Sequence, residues 1–209
     1  MGQSLIIACA SEAEIMALAP LVASLKDKRP TDEVALLIYA DQQSTARLLQ
    51  DVDQLYLIER QKICNFARNT IFSSGHALNV FWENLRPLRD QHWDELYNFQ
   101  NDTVSLALAG FIPAKSKFGL QLNSDHNLDY SSTWSFSAQF IYDGLPLIHR
   151  EDQIRLMSNI TQYVAPLKIQ LDTENQALAH EHFAALRRAP QAQGRKMVGI
   201  SMATLPAWI

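Results

Sequence analysis

The chain has 209 residues, a formal net charge of −4, 47% hydrophobic residues and 19% charged residues. That length carries one substantial core or two small ones. The acidic balance gives no global argument for nucleic-acid binding, and no apolar run approaches the roughly 20 residues of a membrane span.

The first fifteen residues lack a basic leader region, and Glu12 and Glu14 interrupt them, so they read as a first strand rather than a signal peptide. Ser4 to Ala10 is an apolar run suited to a buried strand. Glu14 to Lys26 follows with Ile15, Leu18, Leu21, Val22 and Leu25 at helical spacing. Ser11 and Glu14 stand three apart, the spacing of a capping box. Glu33 to Tyr39 is a second buried strand, Ser44 to Gln50 a short helix and Gln54 to Ile58 a third strand. This alternation predicts right-handed βαβ units and a parallel sheet.

Asn65 to Ser74 reads as a polar loop or a broken helix. His76 to Leu88 returns to helix, with Leu78, Phe81, Trp82 and Leu85 on one face and Pro87 near its end. Leu96, Tyr97 and Phe99 then mark a fourth strand, Thr103 to Gly110 a helix with a glycine stop, and Lys115 to Leu120 a fifth strand. Gln121 to Ser132 is polar. Trp134 to Tyr142 is a weaker helical candidate; Arg150 to Val164 and Thr173 to Arg188 are better ones. Pro190 to Arg195 is a linker of turn formers, and Met197 to Ser201 a last strand. That strand either completes the sheet or opens a second domain.

Ligands in open α/β sheets gather at the carboxyl ends of the strands. Asn101 and Asp102 follow the fourth strand, which places them to touch a polar ligand or to cap the next helix. Cys9 and Cys64 are the only cysteines, lack metal-ligand spacing and read as reduced thiols. His180 and His182 flank Glu181, but residues two apart on a helix face different sides, so no shared metal is expected. Trp82 and Trp93 suit a core, whereas Trp134, after a polar loop, is a candidate for stacking on a sugar. No GxGxxG follows the first strand, and there is no P-loop, GxSxG or CxxC.

Taken in order, several stretches resemble the amino-terminal half of the family 9 glycosyltransferases, the lipopolysaccharide heptosyltransferase family. Ala13-Glu14, then IMALA and Pro20, stand where the family has Gly-Asp, an apolar helix and a proline. The run from Pro20 to Arg60 repeats the family's helix, strand and short helix, with Asp51-Val52-Asp53 leading into the third strand. WDELYNFQNDTVSLALAGFIPAKSKFGL resembles the fourth strand, its helix and the fifth strand. TWSFSAQFIYDGLPLIHREDQIRLM resembles a later segment in which a Trp precedes a basic residue and a helix, and KMVGISMATLPAW the opening of the donor-binding domain.

The resemblance implies a Rossmann-like three-layer α/β domain with a mostly parallel sheet, half of a two-domain GT-B enzyme. Residues 1–190 would form the acceptor-side domain and 191–209 a linker and the start of the second. The implied activity is transfer of a heptose from ADP-heptose to the lipopolysaccharide core, with the sugar nucleotide as substrate and no cofactor or metal. The chain of 209 residues alone would have little transferase activity, since nucleotide recognition in this architecture lies mainly in the second domain. The acidic residue that opens the first helix, here Glu14, is the implied general base. Ser11, Asn101, Asp102, Lys115, Trp134 and Arg150 are the candidate substrate contacts, the two cations suiting acidic acceptors. Each also has a structural reading: Ser11 and Glu14 as a capping pair, Asp102 as a helix cap, Lys115 and Arg150 as solvated charges. A cytoplasmic protein, with peripheral contact at the inner membrane, is the implied setting. The rival expectation is a non-catalytic module that binds a glycan or a partner protein, which the Ala13 and Glu14 departures favour.

Overall fold

The computed structural model describes residues 2–68, 74–122, 125, 127–129 and 150–160, and isolated positions between 173 and 184. The chain divides into two compact units, Met1–Gln170 and Leu171–Ile209. In the second unit positions 173, 176–178, 180, 181 and 184 are helical. The Trp134 to Tyr142 and Met197 to Ser201 expectations lie outside the described residues.

The first unit is built on a sheet of order β3-β2-β1-β4-β5, every pair of which is parallel. The strands are β1 (Gln3–Ile7), β2 (Glu33–Tyr39), β3 (Gln54–Ile58), β4 (Trp93–Asn98) and β5 (Ala114–Gly119). The helices are α1 (Glu12–Ala17), α2 (Ala19–Lys28), α3 (Gln43–Ala46), α4 (Arg60–Arg68), α5 (Ser74–Asp90), α6 (Thr103–Phe111) and α7 (Arg150–Met157). Successive strand residues face opposite sides, so both sides must be apolar when helices cover both. Ile6, Leu36 and Tyr97 join Ile15, Leu21, Val22 and Ile154 under α1, α2 and α7. Leu5, Leu37 and Leu96 join Leu85, Leu88, Leu108 and Ile112 under α5 and α6. This is the expected Rossmann-like three-layer α/β arrangement.

Four boundaries differ from the sequence reading, each for a local reason. The single first helix is two, α1 and α2, broken at Leu18. Pro20, at the start of α2, has no N–H to give and its ring would meet the carbonyl of Met16 in a continuous helix. The short helix after β2 begins earlier, through a 3-10 turn at Ala40–Gln42. Of the two readings of Asn65 to Ser74, the broken helix fits the described residues: 65–68 end α4, which has already formed from Arg60, and Ser74 opens α5. Gly110 does not stop α6. The helix runs to Phe111, and Ile112 turns extended (φ −79°, ψ 123°) because Pro113 disfavours helical backbone in the residue before it.

One glycine is required by geometry. Gly119 ends β5 at φ +88°, and a Cβ there would collide with the Asn98 carbonyl. That carbonyl accepts the Leu120 N–H at 2.6 Å, and the buried Asn98 Nδ2 donates to the Leu120 carbonyl at 2.9 Å. Asn98 Oδ1 in turn accepts the Gln100 N–H at 3.1 Å. The carboxyl ends of β4 and β5 are thereby fixed before the chain enters its next loop.

Candidate functional site

The strand order reverses direction at β1: the chain proceeds from β1 to β2 and β3 on one side, then returns to add β4 and β5 on the other. A parallel sheet opens a crevice at such a switch point, beyond the carboxyl ends of its central strands. Here the crevice lies between the loop after β1, which carries Ser11, and the loop after β4, which carries Asn101 and Asp102.

Ser11 and Glu14 form the capping box in full. Ser11 Oγ accepts the Glu14 N–H at 3.4 Å, while Glu14 Oε2 accepts the Ser11 N–H at 3.2 Å and lies 3.2 Å from Ser11 Oγ. The structural reading of this pair is therefore realised. It does not use up the carboxylate, because Glu14 Oε1 lies 3.5 Å from Arg150 Nη2. The same nitrogen donates to the Phe99 carbonyl at 2.9 Å, and Nη1 donates to Gln153 Oε1 at 2.6 Å. Two residues 136 positions apart in sequence, both singled out there, meet at the switch point.

Asp102 caps α6, its Oδ1 accepting from Val104 N and Ser105 N at 3.0 Å each. Asn101 is exposed beside it. Lys115 lies elsewhere: at the amino end of β5, 2.5 Å from Asp94 at the amino end of β4, at the opposite end of the strands from Glu14. Trp134 lies outside the described residues, as does His182. His180 and Glu181 are exposed, and no group of three or more metal-binding side chains occurs among the described residues.

A cleft of about 540 Å³ sits beyond the carboxyl ends of β2 and β3, lined by Asp41, Glu59, Arg60, Lys62 and Phe66 among others. Arg60 lies over the Tyr39 ring at 4.4 Å and pairs with Asp41 at 2.7 Å. Burial pushes the Tyr39 phenol up to about 12. Burial likewise raises the Cys9 thiol to about 12, helped by the Asp102 charge and opposed by Arg60. Cys9 is an inert core thiol at neutral pH.

Sequence reasoning missed Gln153, Asn98 and Gln42. Gln153 is 2% exposed and stands one helical turn after Arg150, so its i, i+3 spacing was the available signal. Asn98, fully buried, was visible as a polar residue closing an apolar strand. Gln42, buried in the turn after β2, donates to the Ala10 carbonyl and braces the first loop; no local pattern announces it.

No protein-family model and no curated protein matches the chain. Solved structures do. A family 9 glycosyl transferase from Veillonella parvula superposes with a TM-score of 0.58 at 14% identity, covering 88% of this chain and 50% of that one. E. coli heptosyltransferase WaaC bound to ADP-2-deoxy-2-fluoro heptose gives 0.52 at 13% identity, covering 78% of this chain and 50% of that one. E. coli ADP-heptose lps heptosyltransferase II gives 0.53 at 10% identity, covering 87% of this chain and 50% of that one. The chain thus spans half the length of each of these structures. Its all-parallel, Rossmann-like α/β domain has the glycosyltransferase fold of the GT-B type, as the sequence resemblance implied.

Proposed function

We propose that this chain is the acceptor-side part of a sugar-nucleotide-dependent glycosyltransferase, and that Glu14 is its general base. The observation that carries the reading is the position of Glu14. It opens the first helix at the switch point of a glycosyltransferase fold, with one carboxylate oxygen fixed by its cap and the other directed toward Arg150. In the reaction the acceptor hydroxyl would give its proton to Glu14, and its oxygen would bond to the anomeric carbon of the donor. The bond from that carbon to the diphosphate would break, and the nucleoside diphosphate would leave with the electron pair. Heptose is the favoured sugar and an ADP-sugar the favoured donor, because two of the similar structures are heptosyltransferases bound to ADP or to an ADP-heptose analogue. The acceptor would be a lipopolysaccharide core or a similar acidic glycan, which in the cleft beyond β2 and β3 would have to draw Arg60 from Asp41 and Lys62 from Glu59. The setting would be the cytoplasmic face of the inner membrane.

A non-catalytic glycan-binding module is the second reading. It is favoured by the engagement of both Glu14 oxygens, by Ser11 and by Arg150. Titration of the chain with lipopolysaccharide core oligosaccharide, followed by NMR, tests the common part of both. Perturbation of Glu14, Asn101 and Arg60 resonances is expected; no binding would sink both. A transferase assay on a form that includes a donor-binding domain then separates them. Loss of more than a hundredfold in rate for Glu14→Gln with acceptor affinity kept supports the base role, and unchanged turnover excludes it.

A further inference from the structure

The Arg150 guanidinium is held from one side by partners that stay in place. One is a main-chain oxygen, the Phe99 carbonyl at 2.9 Å. The other is a side chain in the core, Gln153, whose Oε1 accepts from Nη1 at 2.6 Å. Its third contact is of another kind. Glu14 Oε1 is 3.5 Å away, beyond a normal charge-assisted hydrogen bond, and the side chain of Glu14 is 36% exposed. The weakest of the three contacts is therefore the one that faces the crevice.

Glu14 is built to survive the loss of that contact. Its Oε2 is held by the Ser11 backbone, so the carboxylate keeps its place when Oε1 is released. Arg150 is equally prepared. Its side chain is 23% exposed, and its fork is oriented by Phe99 and Gln153 whether or not Glu14 is engaged. The amide Nε2 of Gln153 is buried without a hydrogen-bond partner. A buried amide that leaves both of its N–H donors unpaired while its oxygen orients a guanidinium bears a cost in stability that a ligand-binding arrangement accounts for.

We propose that Arg150 is an exchange cation. In the ligand-free crevice it neutralises Glu14; an incoming phosphate oxyanion takes the place of Glu14 on the guanidinium and frees Glu14 Oε1 to face a hydroxyl. Gln153 is the positioning residue that keeps the fork aimed at the crevice. The biological source of the phosphate rests on the transferase reading, in which the donor diphosphate or a phosphorylated acceptor sugar could supply it. The exchange itself rests only on the geometry.

Calorimetric titration of the 209-residue chain with inorganic pyrophosphate tests it, using wild type, Glu14→Gln, Arg150→Gln and the double variant. Glu14→Gln removes the competitor and should tighten binding about three- to tenfold, while Arg150→Gln should weaken it about tenfold or more. In the Arg150→Gln background Glu14→Gln should bring no gain, since the two residues then have nothing to exchange. Gln153→Leu should weaken binding several-fold without unfolding the chain. Should Arg150→Gln fail to fold, Arg150→Lys keeps the charge without the fork and should also bind pyrophosphate more weakly. Equal tightening by Glu14→Gln with and without Arg150 would mean simple charge repulsion and overturn the exchange. So would the absence of pyrophosphate binding to both wild type and Glu14→Gln. A preference for pyrophosphate over glucose 6-phosphate assigns the anion to the donor, and the reverse assigns it to the acceptor. Failure of oligosaccharide binding with the exchange intact would remove the transferase reading and leave this one standing.

Discussion

The two ends of the central sheet use the same residue types to opposite effect. At the amino end Asp94, Asp53, Glu95, Lys115, Lys26 and Arg29 are paired off in the service of the strands. Asp94 accepts the Gln3 N–H at 2.9 Å and Asp53 the Val34 N–H at 2.7 Å, so each carboxylate satisfies the entry of a strand. Lys115 and Lys26 then neutralise them, at 2.5 and 2.6 Å. Arg29 grips Glu95 through both terminal nitrogens, and Tyr97 and Ser4 donate to the same carboxylate. At the carboxyl end, Arg150 divides itself among a carbonyl, an amide and a distant carboxylate, and Glu14 divides itself between a cap and that arginine. Closed pairs hold a fold together, whereas shared, partly exposed ones leave room for a third party. Charge at a strand end is therefore not by itself a mark of a site. The distribution of its partners is.

The sharpest break in that contrast is expected where the carboxyl end is rigid rather than open. Gly119→Ala puts a Cβ into the Asn98 carbonyl at a φ of +88°, and that carbonyl is held between β4 and β5. The loss should be about 3 kcal/mol, from backbone strain and the broken Leu120 hydrogen bond together. Urea denaturation monitored by circular dichroism would measure it; a change below about 0.5 kcal/mol would mean that the strand ends adapt freely.

The amino end should respond to pH. Burial alone would raise the Glu95 carboxyl, but the Arg29 hydrogen bonds, with those of Tyr97 and Ser4, outweigh it and hold the group below its usual value of 4.5. A depressed folded-state pKa adds stability above the unfolded value and loses it as pH falls through the folded one. Glu95→Gln should therefore cost about 1–2 kcal/mol at pH 7, discounted for the partial exposure of Arg29. The gap to wild type should shrink steadily below about pH 4.5. Melting curves taken from pH 7 down to pH 3 check this, and a gap that does not depend on pH would show that Glu95 works through shape rather than charge.

How much of this was legible follows from the range of the forces involved. The strands β1 to β3, the apolar stripe of Ile15, Leu18, Leu21, Val22 and Leu25 and the Ser11–Glu14 box were readable because they depend on residues a few positions apart. The α1–α2 break carried its signal in Pro20, yet the apolar periodicity ran through it and hid it. Glu14 and Arg150 were each nameable, but their meeting was not, since it depends on a chain reversal across the whole sheet. Lys115 was picked for its charge alone, and only the register of β4 with β5 shows it beside Asp94 at the other end. Asn98 and Gln42 brace backbone that lies 22 and 32 residues away, a distance over which no local pattern exists.

The smallest effect bears most directly on the comparison, because it asks whether the Ser11–Glu14 pair is closed or shared. Ser11→Ala removes the Oγ that accepts the Glu14 N–H and should cost about 1 kcal/mol, whereas Ser11→Gly should cost only a few tenths. Glu14→Gln keeps an oxygen that can accept the Ser11 N–H and loses the charge that favours a helix start, worth about 0.3–1 kcal/mol. If the pair were a closed cap, the two changes together would cost clearly less than their sum, since each dismantles the same box. If Glu14 is shared with Arg150, part of the Glu14→Gln effect persists without Ser11 and disappears without Arg150. Thermal denaturation of the single and paired variants reads this difference directly. A Glu14→Gln cost that is independent of Arg150 would make Glu14 a helix cap and nothing more, and the crevice would then lack the feature that distinguishes it from the amino end.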